Sequence, residues 1–413
     1  MKEFILNNNL KLIHKKTECE LSSICISLDA GAGKEKEILG LAHATEHNIY
    51  KSTHKRNEDE INRDLNNIFG FQNAMTNYSY VIYYGTSLNE DLESGIELFS
   101  DILINASFTE DGFSEEMNVI KEELNEWDEE LEQYCEDKLF LNVFNEKRRI
   151  KYPIIGKKES LDNINLENIK QFYNENYFPE NTTIVIVSKN DSYEIKELVE
   201  KYFGIWQKRY KSREEYKNKI EYSMPETTTF NNTKKGIKNS RIEIIAPIHE
   251  LSFEELRLLR VFNAYFGDGV NSVLYDALRT RRGLIYDVIC NIDYDNYIKL
   301  YKINFTTQKR NVDKALKIVK DIIENLEMLK EKLSEEDVRK LCKTLTIKKL
   351  FNEEKSIIFA KELATYDTMF KDYTKYNKYY DYSKNITVNE VIEIGKKVLS
   401  NISVQIISAF AED

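Results

Sequence analysis

Proline occurs only 4 times and glycine only 14 times in 413 residues, too seldom for a sandwich of many tight turns, so long helices joined by short turns are expected. Cysteine is equally sparse. Cys19, Cys25, Cys135, Cys290 and Cys342 are odd in number, widely spaced and never in a C-x-x-C pair. That pattern argues against a disulfide framework or a cysteine zinc site and fits reduced thiols. No segment approaches membrane-spanning length, and the start of the chain, "MKEFILNNNLKLIHKK", has no apolar h-region. Neither membrane insertion nor export is expected, and the chain is assigned to the cytoplasm. Excess positive charge is missing too: the formal net charge is −11, which opposes nucleic acid and anionic membranes and suits solubility or basic partners. Histidine is the last scarcity, with five in the whole chain.

What is present is enough apolar material for a large core. At 41% hydrophobic content, two domains of similar size are expected. They look duplicated. "TSLNEDLESGIELFSDILIN" (86–105) and "TTQKRNVDKALKIVKDIIEN" (306–325) align without a gap at an offset of 220, pairing Thr86 with Thr306, Ile96 with Leu316, Asp101 with Asp321 and Asn105 with Asn325. The same offset pairs Ser114-Glu115-Glu116 with Ser334-Glu335-Glu336. Alternating apolar runs predict strands at 22–31, 79–87 and 182–188, with helices over 90–105, 110–140 and 165–177. The second half repeats the order: strands at 241–248, 297–307 and 402–409, helices over 311–331, 335–371 and 388–399. The expected fold is therefore α+β, with domains at 1–208 and 231–413 and a polar, patternless linker at 209–230. Each domain is expected to be a mostly antiparallel sheet with helices packed on one face.

The chemistry gathers in "GLAHATEHNIYKST" (40–53). Positions i and i+4 share a helix face, so His43 and His47 can both reach one ion, with Glu46 beside them as a general base. H-x-x-E-H is the inverse of the H-E-x-x-H zinc motif. His14, His54 and His249 have no such setting. Two histidines leave a three-ligand zinc site one short, and a glutamate usually completes it. In "GFSEEMNVIKEELNEWDEELEQYCE" (112–136) the apolar stripe Phe113, Met117, Ile120, Leu124, Trp127 and Leu131 leaves Glu116 and Glu123 on its border, one heptad apart, with Glu115 and Glu122 turned to the opposite side. Helical geometry narrows the third ligand to these two without choosing between them.

"HATEH", a glutamate 76 positions beyond the second histidine in "VIKEEL", and the duplicated α+β half together resemble the pitrilysin and mitochondrial processing peptidase family of zinc metallopeptidases, over nearly the whole chain. The run Asn73-Ala74-Met75-Thr76 is similar to that family's G-x-x-N-A-x-T segment, an edge strand on which substrate peptide is laid. "YFGDGVNSVLYDALRTRRGLIYDV" is similar to its stretch around an arginine and a tyrosine, here Arg279 and Tyr286. Two departures stand out: Ala44-Thr45 where a bulky apolar residue is usual, and "YKST" where "FKGT" is typical.

The resemblance implies one Zn2+ per chain held by His43, His47 and Glu123, with Glu116 orienting a ligating histidine or setting the local field. It implies Glu46 as the general base, Arg279 and Tyr286 as holders of substrate and developing oxyanion, and Asn73 to Thr76 as the peptide-binding edge. The expected function is hydrolysis of short or unfolded peptides in an enclosed chamber. The alternatives are a catalytic subunit that needs a partner chain and a non-catalytic structural relative. Because this chain carries both the metal box and the Arg/Tyr pair, a homodimer is expected, with a heterodimer of related subunits as the other arrangement. Adding 220 to Glu123 reaches Lys343, and the second half has no H-x-x-E-H, so only the first half is expected to be catalytic.

Overall fold

The computed structural model describes residues 1–146, 148–215 and 224–409. Eleven strands form two sheets among the described residues: β1 (Lys2–Ile5), β2 (Lys11–Lys16), β3 (Leu21–Leu28), β4 (Phe69–Thr76), β5 (Val81–Leu88) and β6 (Thr182–Ser188), then β7 (Thr229–Lys234), β8 (Ser240–Pro247), β9 (Ile285–Tyr294), β10 (Lys299–Thr307) and β11 (Ser403–Ala409). The first sheet has the order β1-β2-β6-β3-β5-β4 and the second β7-β11-β8-β10-β9. With β1 set aside, the two orders are the same. Each contains one parallel pair, β2 with β6 and β7 with β11, among otherwise antiparallel neighbours. Even the irregularity repeats, since a bulge interrupts the edge pairing between Phe69 and Phe71 in one sheet and between Phe305 and Thr307 in the other.

Helices of eight or more residues are α1 (Leu41–Asn48), α2 (Glu58–Ile68), α3 (Leu92–Ile104), α4 (Glu110–Glu129), α5 (Leu131–Val143), α6 (Leu166–Asn176), α7 (Ser192–Phe203), α8 (Phe253–Phe266), α9 (Val312–Glu324), α10 (Glu335–Glu354), α11 (Ser356–Phe370) and α12 (Val388–Leu399). α3 and α9 are both 13 residues long and start 220 positions apart, as the aligned repeat requires. The offset does not continue past them. α4 and α10 start 225 positions apart, so Ser114 lies inside α4 while Ser334 precedes α10 and accepts from the Asp337 N–H at 3.1 Å. The extension of the repeat to residues 114–116 is therefore corrected: the connection between α9 and α10 is five residues longer than that between α3 and α4 and contains a 3-10 helix at Leu326–Glu331. Glu123 then corresponds to Lys348 rather than Lys343, a lysine in either register.

The long helical runs expected at 110–140 and 335–371 are each broken once, at Glu130 and at Lys355. The chain crosses between units in the last turns of α4 and α10, just before each break. One unit comprises 1–125, 152–220 and 351–376, and the other 126–151, 221–350 and 377–413, so each takes one segment from the opposite half of the chain, where the sequence suggested continuous domains at 1–208 and 231–413. In the first unit α11 lies over β3 and β6. The surface it covers is polar: Thr368 donates to Ser27 Oγ at 2.8 Å, Ser23 and Ser356 hydroxyls meet at 2.7 Å, and Asp367 accepts from Thr183 and Lys11, each at 2.7 Å. The other face, carrying Ile24 and Ile26, is apolar and buried. In the second unit α5 covers β8 and β11, with Glu132 bonded to Arg241, Glu136 to Lys302, and Asn142 donating to Gln405 at 2.9 Å. Of the expected linker, 216–223 lies outside the described residues. Arg213 donates to the Thr182 carbonyl at 2.5 Å within the first unit, and Thr229 already begins β7. No helix among the described residues is long and apolar enough to cross a membrane.

Candidate metal centre

The site is built in the first unit on one short helix. α1 begins after Gly40, whose φ of +85° is in the left-handed region, where a Cβ would stand 2.4 Å from the Ile155 carbonyl oxygen. Glu35 caps it, accepting from the N–H groups of Gly40 at 3.1 Å and Ala42 at 2.9 Å. Ala42 and Ala44 are fully buried, and their small side chains let α1 pack closely on α6 and β4. The face between these two alanines presents His43 and His47, with ring centroids 4.5 Å apart.

α4 brings the acids. Nε2 of His43 and Nε2 of His47 each lie 3.7 Å from Glu123 Oε2, and the three side chains form a group whose donor atoms all fall within 4.8 Å of one another. Ligand atoms of a tetrahedral zinc, each at about 2.0–2.2 Å from the ion, stand roughly 3.4 Å apart, so these residues fit that ion with little adjustment. Glu116 lies one step back: its Oε1 accepts from His47 Nδ1 at 2.7 Å, which directs the lone pair of Nε2 toward Glu123. The two glutamates that helical geometry left equivalent are thus separated by the structure. Glu122, by contrast, is exposed.

Electrostatics divide the two histidines. Burial drives His43 down to about 3, so it is neutral throughout the working range, and its Nδ1 has no hydrogen-bond partner among the described residues. Burial also works to lower His47, but the bond to Glu116 and the charges of Glu46, Glu116 and Glu123 outweigh it and hold His47 above its ordinary value. Glu46, 8% exposed, is pushed up by burial despite the opposing bond from Thr76. That bond, from Thr76 Oγ1 to Glu46 Oε2 at 2.5 Å, shows what sequence reasoning missed: Thr76 closes the edge strand and also touches Glu46. Nothing in the sequence pairs residues 46 and 76. Tyr83 and Tyr177 share a 2.8 Å hydroxyl contact behind Glu46, and the buried Tyr50 hydroxyl has no partner among the described residues. Burial raises all three phenols.

Asn73, Ala74 and Met75 lie on β4, which is paired with β5 on one side and is the edge of its sheet. Met75 is 37% exposed and Phe71 52%, so this edge is accessible. Arg279 and Tyr286 belong to the second unit, where they meet each other, the guanidinium 5.1 Å from the centre of the tyrosine ring. Tyr286 is 81% exposed.

Two family models match the chain: one described as "Insulinase (Peptidase family M16)" over residues 11–157, the other as "Peptidase M16 inactive domain" over residues 163–345. A Bacillus subtilis protein named "Uncharacterized zinc protease YmxG" is 26% identical over 291 residues, covering 70% of this chain and 69% of that protein. The mitochondrial-processing peptidase subunit beta of Blastocladiella emersonii is 27% identical over 184 residues, 44% of this chain and 39% of that one. Among solved structures, a protease from Helicobacter pylori superposes with a TM-score of 0.85 at 18% identity, covering 98% of this chain and 99% of that one.

Proposed function

The chain belongs to peptidase family M16, and from that premise we propose that it is a zinc-dependent endopeptidase acting on extended peptides, with His43, His47 and Glu123 as the metal ligands. The observation that carries this reading is the convergence of both Nε2 atoms on Glu123 Oε2, with the buried Glu46 beside them.

Bound in that donor set, zinc would act as a Lewis acid, lowering the pKa of water toward ~7 and polarising a carbonyl. The protein's own groups do the rest. Glu46 takes a proton from the attacking water and returns it to the leaving amine, and its raised pKa suits both halves of that exchange. Thr76 holds the Glu46 carboxylate in place through its hydroxyl bond to Oε2. Glu116 keeps the His47 ring in place through Nδ1. The open edge of β4 at Asn73, Ala74 and Met75 accepts the substrate as an added strand, which selects extended over folded chains. Arg279 and Tyr286 hold the substrate and its developing oxyanion in a homodimer.

The test is direct. The purified protein is expected to contain about one zinc per chain and to cleave a peptide library read by mass spectrometry. Glu46→Gln should retain zinc and lose cleavage by roughly 10³-fold or more, whereas His43→Ala/His47→Ala should lose both. Zinc loss in Glu46→Gln would overturn its assignment as base. The relative named as a processing-peptidase subunit favours a second reading, a subunit that needs a related partner. Stoichiometric zinc without cleavage of any peptide would select it.

A further inference from the structure

Just past the end of α1, Lys51 is nearly buried, its side chain 7% exposed, and its ammonium faces three carboxylates. It lies 2.6 Å from Glu58 Oε2, 3.0 Å from Glu115 Oε2 and 3.4 Å from Glu116 Oε2. The ammonium thus faces three acids from two elements, α2 and α4, and donates a hydrogen bond to Glu115. The approach is close on the backbone side as well: a Cβ at Gly112 in the first turn of α4 would stand 3.1 Å from Lys51 Cβ. Of the three acids, Glu116 is the least exposed, at 14% against 41% for Glu58 and 69% for Glu115. It is also the one whose other oxygen, Oε1, accepts from His47 Nδ1 at 2.7 Å. The carboxylate is therefore gripped from both ends.

We propose that Lys51 is a positioning residue for the metal centre: it holds the Glu116 carboxylate so that Glu116 can fix the tautomer and orientation of His47. A half-buried carboxylate with only His47 as partner can turn about its side-chain torsions and pull the imidazole with it. Fixing Oε2 on an ammonium removes that freedom and offsets the cost of the buried negative charge. The inference rests on the reading that zinc sits on His43, His47 and Glu123, and it adds a residue that never touches the ion.

The experiment is a double-mutant cycle on zinc affinity, measured by competition with a chromophoric chelator, with the melting temperature of the metal-free protein recorded for every variant. Lys51→Met keeps the aliphatic stem and is expected to bind zinc about 10-fold more weakly. In a Glu116→Gln background the same substitution should cost less than about twofold, because the residue through which Lys51 acts is already altered. Glu115→Gln, which removes an exposed partner of Lys51, should leave zinc affinity unchanged. A purely structural clamp would instead lower melting temperature in all backgrounds and give additive losses of zinc, which overturns the proposal, as does unchanged affinity in Lys51→Met. If Lys51→Met fails to fold, Lys51→Gln takes its place in the same cycle with the same criteria. Failure of the wild-type protein to bind zinc would reject the metal reading itself, an outcome distinct from any of these.

Discussion

His14 and His47 carry the same side chain and opposite environments. His14 is fully buried between Ser192 and Ser188, its ring nitrogens 2.8 and 3.0 Å from the two hydroxyls, and burial lowers it to about 4. With no carboxylate bonded to it, the ring stays neutral. An unfolded chain binds a proton at this histidine near pH 6.5 and the folded one only near 4, so stability is full above 6.5 and falls as pH drops between those values. The loss should be on the order of 2–3 kcal/mol between pH 7.5 and 4.5. Urea unfolding of the chelator-treated protein at several pH values, compared with His14→Asn, measures it. The variant should be weaker at neutral pH and less dependent on pH, and an identical pH slope would show that another group is responsible. In the sequence, His14 could be set apart from His43 and His47 only by spacing. Its burial between two serines from β6 and α7 is a tertiary fact that no local pattern carries.

At the scale of one helix, the 3.6-residue period was enough to shortlist acids on α4 and to dismiss their neighbours. Glu116 and Glu123 do look toward α1, while Glu122 is exposed. The period could not rank the two, because residues a heptad apart occupy the same angular position. The ranking comes from where α1 crosses: Nε2 of both histidines faces Glu123, and only Nδ1 of His47 faces Glu116. Zinc titrations should therefore show Glu123→Gln weakened by about 100-fold or more and Glu122→Gln within about twofold of the parent. Comparable losses from both would sink the helical-face assignment. The break of this helical run at Glu130 had no sequence marker, since neither glycine nor proline lies there. The last turn of α4 already belongs to the unit that contains α5, so the break falls just after the chain has passed from one unit to the other.

Across the whole chain, duplication explains the matching strand orders, the matching bulges and the equal lengths of α3 and α9. It does not explain why each unit borrows a segment. The serine and threonine hydroxyls of β3 and β6 are covered by residues numbered above 355, and Arg241, Lys302 and Gln405 are covered by α5. A fragment ending at residue 208 would leave the Ser23, Ser27 and Thr183 surface without its helix and its hydroxyls without these partners. Residues 1–208 expressed alone are expected to be insoluble or to melt without cooperativity. Co-expressed pieces broken within 216–223 should purify together, because each supplies a helix to the other. A cooperatively folding 1–208 fragment would contradict this dependence.

Sequence by itself determined whatever is local or periodic: six core strands, the helical face carrying His43, Glu46 and His47, the pair of acids on α4, and a repeat of 220 positions through α9. The edge strands β1, β7 and β9, and β2 next to β1, went unmarked, because a strand pairing at or near a sheet margin needs no strict alternation. Tertiary structure alone decided which glutamate meets both imidazoles, that Thr76 bonds to Glu46 and Lys51 to Glu116, and that α5 and α11 change units. Each of these joins residues from separate elements, and their meeting depends on how helices cross and sheets are covered, which no window of neighbouring residues encodes.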